Sequence, residues 1–141
     1  MATKRRPTKK TLKIILDSNA LFVPLQLKID IFEELKTLLN TNFEPIVLSP
    51  IKHELEKLAA ENSPQRSRDA AYALKLAEKC KLVNIKEKEQ ASPDETILKV
   101  AQDWNCPVFT NDRQLRKKLR DINMPVIYVR QKSRLEIDGR L

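Results

Sequence analysis

Short apolar runs alternate along the chain with longer stretches whose apolar residues recur every three or four positions. Leu12-Lys13-Ile14-Ile15-Leu16, Pro45-Ile46-Val47-Leu48, Leu82-Val83-Asn84-Ile85, Pro107-Val108-Phe109-Thr110 and Met124-Pro125-Val126-Ile127-Tyr128-Val129 have the length and composition of strands. Ile29, Phe32, Leu35 and Leu39 predict a helix from about Asp30. Residues 20–24 read as the connection leading to it. Ser49 as cap and Pro50 at the first turn open a second helix, with Ile51, Leu55 and Leu58 as its buried stripe. Asn62-Ser63-Pro64 ends it, and a longer helix over about 66–79 buries Ala70, Ala73, Leu74 and Ala77. After a charged loop at 86–90, Ser92, Pro93 and Glu95 form a capping signature for a helix running to Trp104. A short, very basic helix covers 113–120.

Strands alternating with helices predict an α/β fold, a three-layer α/β/α sandwich around a central, mostly parallel sheet. The strands and helices fall within residues 12–130. Residues 1–11 read as a basic flexible arm, too polar to bury a core of its own, and residues 131–141 as a polar, basic tail. In parallel sheets of this kind the functional crevice lies beyond the C-terminal strand ends.

With 141 residues the chain is one domain able to build a single core. A net charge of +8 concentrates polyanions, chiefly RNA or DNA, near the surface. One glycine in the whole chain, Gly139, removes phosphate-cradling loops that depend on glycine turns. The one histidine, His53, removes His-rich zinc sites and argues against a Ser-His-Asp triad. Cys80 and Cys106 lack metal-ligand spacing and read as reduced, partly buried thiols. No apolar run approaches the ~20 residues needed to cross a bilayer, and the basic N-terminus has no apolar segment behind it. A cytoplasmic protein is expected.

Four acids stand at or near the C-terminal side of the predicted strands. Asp17 closes the first run, Glu54 lies one turn into the helix opened by Ser49-Pro50, Asp94 sits in a capped helix start, and Asp112 follows Thr110-Asn111. Mg²⁺ and Mn²⁺ take oxygen ligands, and a few carboxylates with water fill one or two octahedra. Ions held there activate a water and neutralise the leaving oxygen of a phosphodiester, which bare carboxylates would repel. Each acid also has a local reading. Asp17 and Asp112 suit turns or helix caps, Asp94 and Glu95 suit a helix N-terminus, and Glu54 suits a surface pair with Lys52 or Lys57.

The flanking residues resemble the motifs of PIN-domain ribonucleases in order and spacing. They are Leu16-Asp17-Ser18-Asn19-Ala20-Leu21, Pro50-Ile51-Lys52-His53-Glu54-Leu55, Pro93-Asp94-Glu95-Thr96-Ile97 and Thr110-Asn111-Asp112-Arg113-Gln114-Leu115. Residues 22–32 look like the branch that matures small-subunit ribosomal RNA, archaeal members included. The resemblance implies metal-dependent endoribonuclease activity, with Asp17, Glu54, Asp94 and Asp112 as catalytic, Mg²⁺- or Mn²⁺-binding acids. It makes Glu95 an auxiliary ligand. Gln114 stands where some relatives have a further Asp, which puts a second metal site in question. Ser18 and Asn19 match small polar residues that orient the first Asp.

Arg113, Arg116, Lys117, Lys118 and Arg120 follow Asp112 and are the expected grip on the RNA backbone, extended by the arm from Lys4 to Lys10 and by Lys132, Arg134 and Arg140. Candidate partners are RNA, chiefly precursor ribosomal RNA, pre-ribosomal assembly factors and a second copy of the chain, with no membrane. Two other functions fit the same residues: a toxin-type PIN ribonuclease restrained by an antitoxin, and a non-catalytic PIN-fold RNA-binding assembly module.

Overall fold

Leu12–Leu16 (β1) buries Ile14, Ile15 and Leu16 completely, as a strand does when helices cover both faces. In the computed structural model, which describes residues 11–86 and 91–141, β1 lies inside a six-stranded sheet. The other strands are Phe43–Leu48 (β2), Lys81–Val83 (β3), Val108–Phe109 (β4), Val126–Arg130 (β5) and Arg134–Asp138 (β6). Their order is β3-β2-β1-β4-β5-β6, parallel throughout except for the antiparallel β5–β6 pair.

The helices are Ser18–Leu27 (α1), Ile31–Leu39 (α2), Ser49–Ala59 (α3), Pro64–Ala77 (α4), Pro93–Trp104 (α5) and Arg113–Asp121 (α6). From β1 the chain moves outward one way through β2 to β3, then returns to the other side of β1 for β4 and β5. Right-handed crossovers therefore put α1 to α4 on one face and α5 and α6 on the other. In agreement, α1, α3 and α4 pack together, and α5 packs on α6. The expected three-layer α/β/α sandwich is the observed fold.

Three local differences from the sequence reading matter for the site. Residues 20–24 are not a connection: they lie inside α1. Asp17 caps α1 through Ser18 N–H, and Ala20, Leu21 and Val23 are buried beneath it. A proline inside an isolated helix costs about 3 kcal/mol, but burying Leu21 and Val23 contributes roughly 1.5–3 kcal/mol each, so tertiary packing carries the helix through Pro24. Second, α3 begins one residue earlier than the cap reading placed it, with Leu48 as its N-cap and no side-chain cap. The Ser49 hydroxyl instead accepts Ile85 N–H at 2.9 Å, joining α3 to the chain beyond β3.

The third difference is the segment expected as a polar tail. Residues 134–138 form β6, with Leu135 buried at 4% exposure. Its sequence, Arg134-Leu135-Glu136-Ile137-Asp138, alternates strictly, and Leu135 and Ile137 share the face that meets α2. Gln131, Lys132 and Ser133 join it to β5; the first two have positive φ (54° and 58°), and Ser133 N–H returns to Arg130 O at 3.1 Å. Positive φ at two successive turn positions is a conformation that Asn and Gly favour in hairpins. The basic arm at 1–10 and most of the charged 86–90 loop lie outside the described residues.

Candidate active site

β1 is the point where the chain's direction of travel across the sheet reverses, so the crevice opens between the C-terminal ends of β1 and β4. Asp17 follows β1, and Thr110, Asn111 and Asp112 follow β4. A backbone bond from Asp17 N–H to Phe109 O, 3.0 Å, fixes the two strand ends against each other.

Asp17 is buried at 4% exposure, and its two carboxylate oxygens have defined partners. Oδ1 accepts Ser18 N–H at 2.8 Å. Oδ2 accepts the Thr110 hydroxyl at 2.8 Å and the Asn19 amide at 3.0 Å. Thr110, fully buried, also accepts Asp112 N–H at 3.1 Å. Asn19 Oδ1 accepts Asn111 N–H at 2.9 Å, and Asn111 Oδ1 accepts Val129 N–H at 2.8 Å. A continuous hydrogen-bonded path thus runs from β1 through the loop after β4 to β5. The expected orienting role of Asn19 is seen in its side chain, whereas Ser18 acts on the carboxylate through its backbone.

Burial pushes the Asp17 carboxyl up from 3.8 to about 6, against the lowering effect of the Thr110 and Ser18 donors and with the charges of Asp94 and Glu54 raising it further. Asp94, half-buried in the first turn of α5, is also raised, chiefly by its own desolvation and then by Asp112, while Lys118 opposes the shift. Asp17 therefore feels Glu54 and Asp94, and Asp94 feels Asp112: the four acids share one electrostatic site. Among the described residues, no three His, Cys, Asp or Glu side chains converge closely enough to form a finished metal cage. The donor set nonetheless fits a hard divalent ion that keeps several of its waters. All candidates are carboxylates, and the innermost one is raised by burial and like charge, the electrostatic deficit that a cation relieves.

The remaining predicted residues divide. Asp112 caps α6, Oδ1 accepting Gln114 N–H at 2.8 Å and Leu115 N–H at 3.2 Å, which leaves Oδ2 for the crevice. Glu54 is half-buried on α3. Glu95 is exposed and belongs to the capping box of α5, its N–H on Ser92 Oγ at 3.1 Å and its Oε1 accepting the Ser92 hydroxyl at 3.3 Å. That engagement explains Glu95 without a ligand role. Arg113, Lys117 and Lys118 are exposed, but Arg116 and Arg120 are bound to Asp138, at 3.2 and 3.3 Å. His53 is exposed on α3. Cys80 and Cys106 are free thiols, both pushed up by burial, to about 12 and about 11. A cavity of about 630 Å³ lined by Thr11, Lys36, Asn40, Thr41, Asn42 and Phe43 lies at the opposite ends of β1 and β2 and contains none of the acids.

Thr110 and Asn111 were visible in sequence only as the end of a strand and part of a motif. The usable signal was a polar pair directly after an apolar strand, in front of an acid.

The α/β/α sandwich with its mostly parallel sheet is shared with a solved PIN domain structure, and residues 14–132 match the family model described as a PIN-like domain. The chain belongs to the PIN-like domain family. It is 41% identical to Ribonuclease VapC4 of Methanocaldococcus jannaschii across 90% of this chain and 97% of that one. It is 25% identical to Ribonuclease VapC9 of Archaeoglobus fulgidus across 98% of each. Among solved structures, that of the PIN domain endonuclease Utp24 superimposes with a TM-score of 0.74 and 26% identity, covering 92% of both chains. A domain of a functionally unknown protein from Methanocaldococcus jannaschii shares the fold, with a TM-score of 0.64, 16% identity and coverage of 93% and 99%.

Proposed function

We propose that the chain is a divalent-metal-dependent endoribonuclease, with Asp17, Asp94 and Asp112 holding Mg²⁺ or Mn²⁺ and Glu54 completing the acidic set. The observation that carries this reading is Asp17, a buried carboxylate fixed by three donors at the strand-order reversal and loaded by two neighbouring acids. The ion would supply Lewis-acid stabilisation of the phosphate and a more acidic attacking water. The protein's own part is positional. Thr110 and Asn19 hold Asp17 Oδ2, the α6 cap holds Asp112 Oδ1, and the exposed Arg113, Lys117 and Lys118 attract the RNA backbone.

Two ribonuclease relatives support RNA as the substrate, and their VapC names favour the toxin-type alternative over ribosomal RNA processing. The precursor-ribosomal reading suggested by residues 22–32, together with its assembly-factor partners, has no support among these relatives. A toxin-type enzyme brings an antitoxin protein as its partner. No helix among the described residues is long and apolar enough to cross a membrane, and a cytoplasmic location is part of the proposal.

The test is cleavage of single-stranded and structured RNA by purified protein in Mn²⁺, Mg²⁺ or EDTA. Metal-dependent cleavage lost in Asp17→Asn is expected; cleavage by that variant equal to wild type would overturn the assignment. Crosslink mapping in cells then separates the substrates. Precursor ribosomal RNA as the dominant target would restore the processing reading, whereas transfer or messenger RNA supports the toxin-type one.

A further inference from the structure

The basic helix α6 carries five cations in nine residues, and two of them, Arg116 and Arg120, are engaged by a carboxylate while their side chains stay one-third exposed. Arg116 Nε and Nη2 both donate to Asp138 Oδ2, at 3.3 and 3.2 Å, while the guanidinium lies 3.7 Å from the Tyr128 ring centre. Arg120 Nε meets the other carboxylate oxygen, Oδ1, at 3.3 Å, and its Nη1 donates to Met124 O at 3.4 Å. Asp138 is thus shared by two arginines one helical turn apart. Tyr128 and Asp138 share one face of the β5–β6 ladder, since Val126 pairs with Asp138 and Tyr128 with Glu136. The next residue, Gly139, has φ +105°, and a Cβ there would collide with the Arg120 guanidinium and approach Pro125 Cα at 3.1 Å.

We propose that Asp138, with Arg116, Arg120 and Tyr128, is a brace that positions α6, so that β6 sets the direction of the Asp112 carboxylate at the helix's N-terminus. The inference rests on the nuclease reading of the acidic site. Arg116 and Arg120 are positioning residues here, and contact with RNA falls to Arg113, Lys117 and Lys118. The lever is short: Arg116 follows Asp112 by one turn, and its N–H bonds Asp112 O at 2.9 Å. Asp112 Oδ1 in turn holds the amides of Gln114 and Leu115. A shift of the helix that breaks the Arg116–Asp138 contact therefore moves the backbone to which the acid is tied.

Asp138→Asn in the full chain separates this from the simple grip. The substitution removes the charge that holds both arginines while preserving shape. A brace predicts a fall in kcat on the order of 10- to 100-fold, as expected when a reacting group is misplaced by a fraction of an ångström to an ångström. KM and the salt dependence of RNA binding stay near wild type. If Arg116 and Arg120 grip RNA, freeing both does the opposite: binding tightens and the log–log salt slope steepens by roughly 1.4–1.8. That result, or an unchanged kcat, overturns the proposal. Amide hydrogen exchange reports on the brace without any activity. Leu115 N–H should exchange at least about tenfold faster in Asp138→Asn while amides of α1 and α3 keep their protection; unchanged exchange along α6 refutes the brace even if the protein cleaves no RNA. Arg116→Met provides the second variant and should reproduce both effects.

Discussion

Replacing Asp17 by Asn should make the metal-free protein more stable while abolishing its activity. The folded protein holds this carboxyl at about 6, against 3.8 for an ordinary aspartate, because burial and the charges of Asp94 and Glu54 outweigh its donors. The native state therefore binds more protons than the unfolded chain between these two values, so stability falls as pH rises from about 4 to about 6 and stays reduced above. At about 1.4 kcal/mol per decade, the ionised carboxylate costs the native state roughly 3 kcal/mol at pH 8. An amide removes that cost but loses part of the bonding at Oδ2, where the Asn19 amide and Thr110 hydroxyl now donate. Allowing about 1 kcal/mol for that loss, Asp17→Asn should gain about 1–2 kcal/mol, or roughly 3–8 °C in Tm for a domain of this size. Thermal melts in EDTA at pH 4.5 and pH 8 measure both. The gain should be present at pH 8 and largely gone at pH 4.5, where wild type is protonated too. Saturating Mn²⁺ should raise the Tm of wild type but not of the variant, since only binding to the native state stabilises it. A variant less stable than wild type in EDTA at pH 8, or a difference that does not change with pH, would refute the account of Asp17.

Three further outcomes follow from other parts of the structure. Thr110→Val removes a donor to a charged acceptor, so it should cost about 1.5–3 kcal/mol at pH 8, move the Asp17 carboxyl above its wild-type value and shift the acid limb of the activity profile to higher pH; melts and pH–rate profiles test it. Gln131→Asn combined with Lys132→Gly keeps the two positive-φ positions but relieves their strain, and urea unfolding should show about 1–2 kcal/mol of added stability. Cys80 and Cys106, raised to about 12 and about 11, should be alkylated at pH 8 at least about 100 times more slowly in the native protein than in denaturant; native labelling at the denatured rate would contradict their burial.

The three-layer architecture was legible because it rests on local periodicity. Each apolar run was short enough for a strand, and each helix after α1 carried a stripe or a cap, such as Phe32, Leu35 and Leu39 on α2, Ala70 and Ala73 on α4 and Ser92 on α5. The elements misread were those whose local chemistry argues against them. α1 contains a proline, and the β5–β6 turn uses Gln and Lys where Asn and Gly would announce a hairpin. β6 does alternate, but five residues flanked by charge give a weak signal next to a polar chain end. In both cases burial against distant elements outweighs local preference.

The sequence by itself determined the inventory: four acids beside strand ends, a cationic helix behind the last of them, and an alternation of elements that requires a parallel sheet. It named Asp17 and Asp112 because both directly follow strands. Only the tertiary structure decided that β1 and β4 are neighbours at the reversal of strand order, because strand order depends on which face each crossover takes. That adjacency places the Thr110 hydroxyl on a carboxylate 93 residues away, and the neighbours of β1 on its two sides, β2 and β4, bring Glu54 and Asp94 near Asp17. The third dimension also sorted the basic residues. Five cations in a row look alike along a helix, but the tertiary structure ties Arg116 and Arg120 to the Asp138 carboxylate and leaves Arg113, Lys117 and Lys118 exposed.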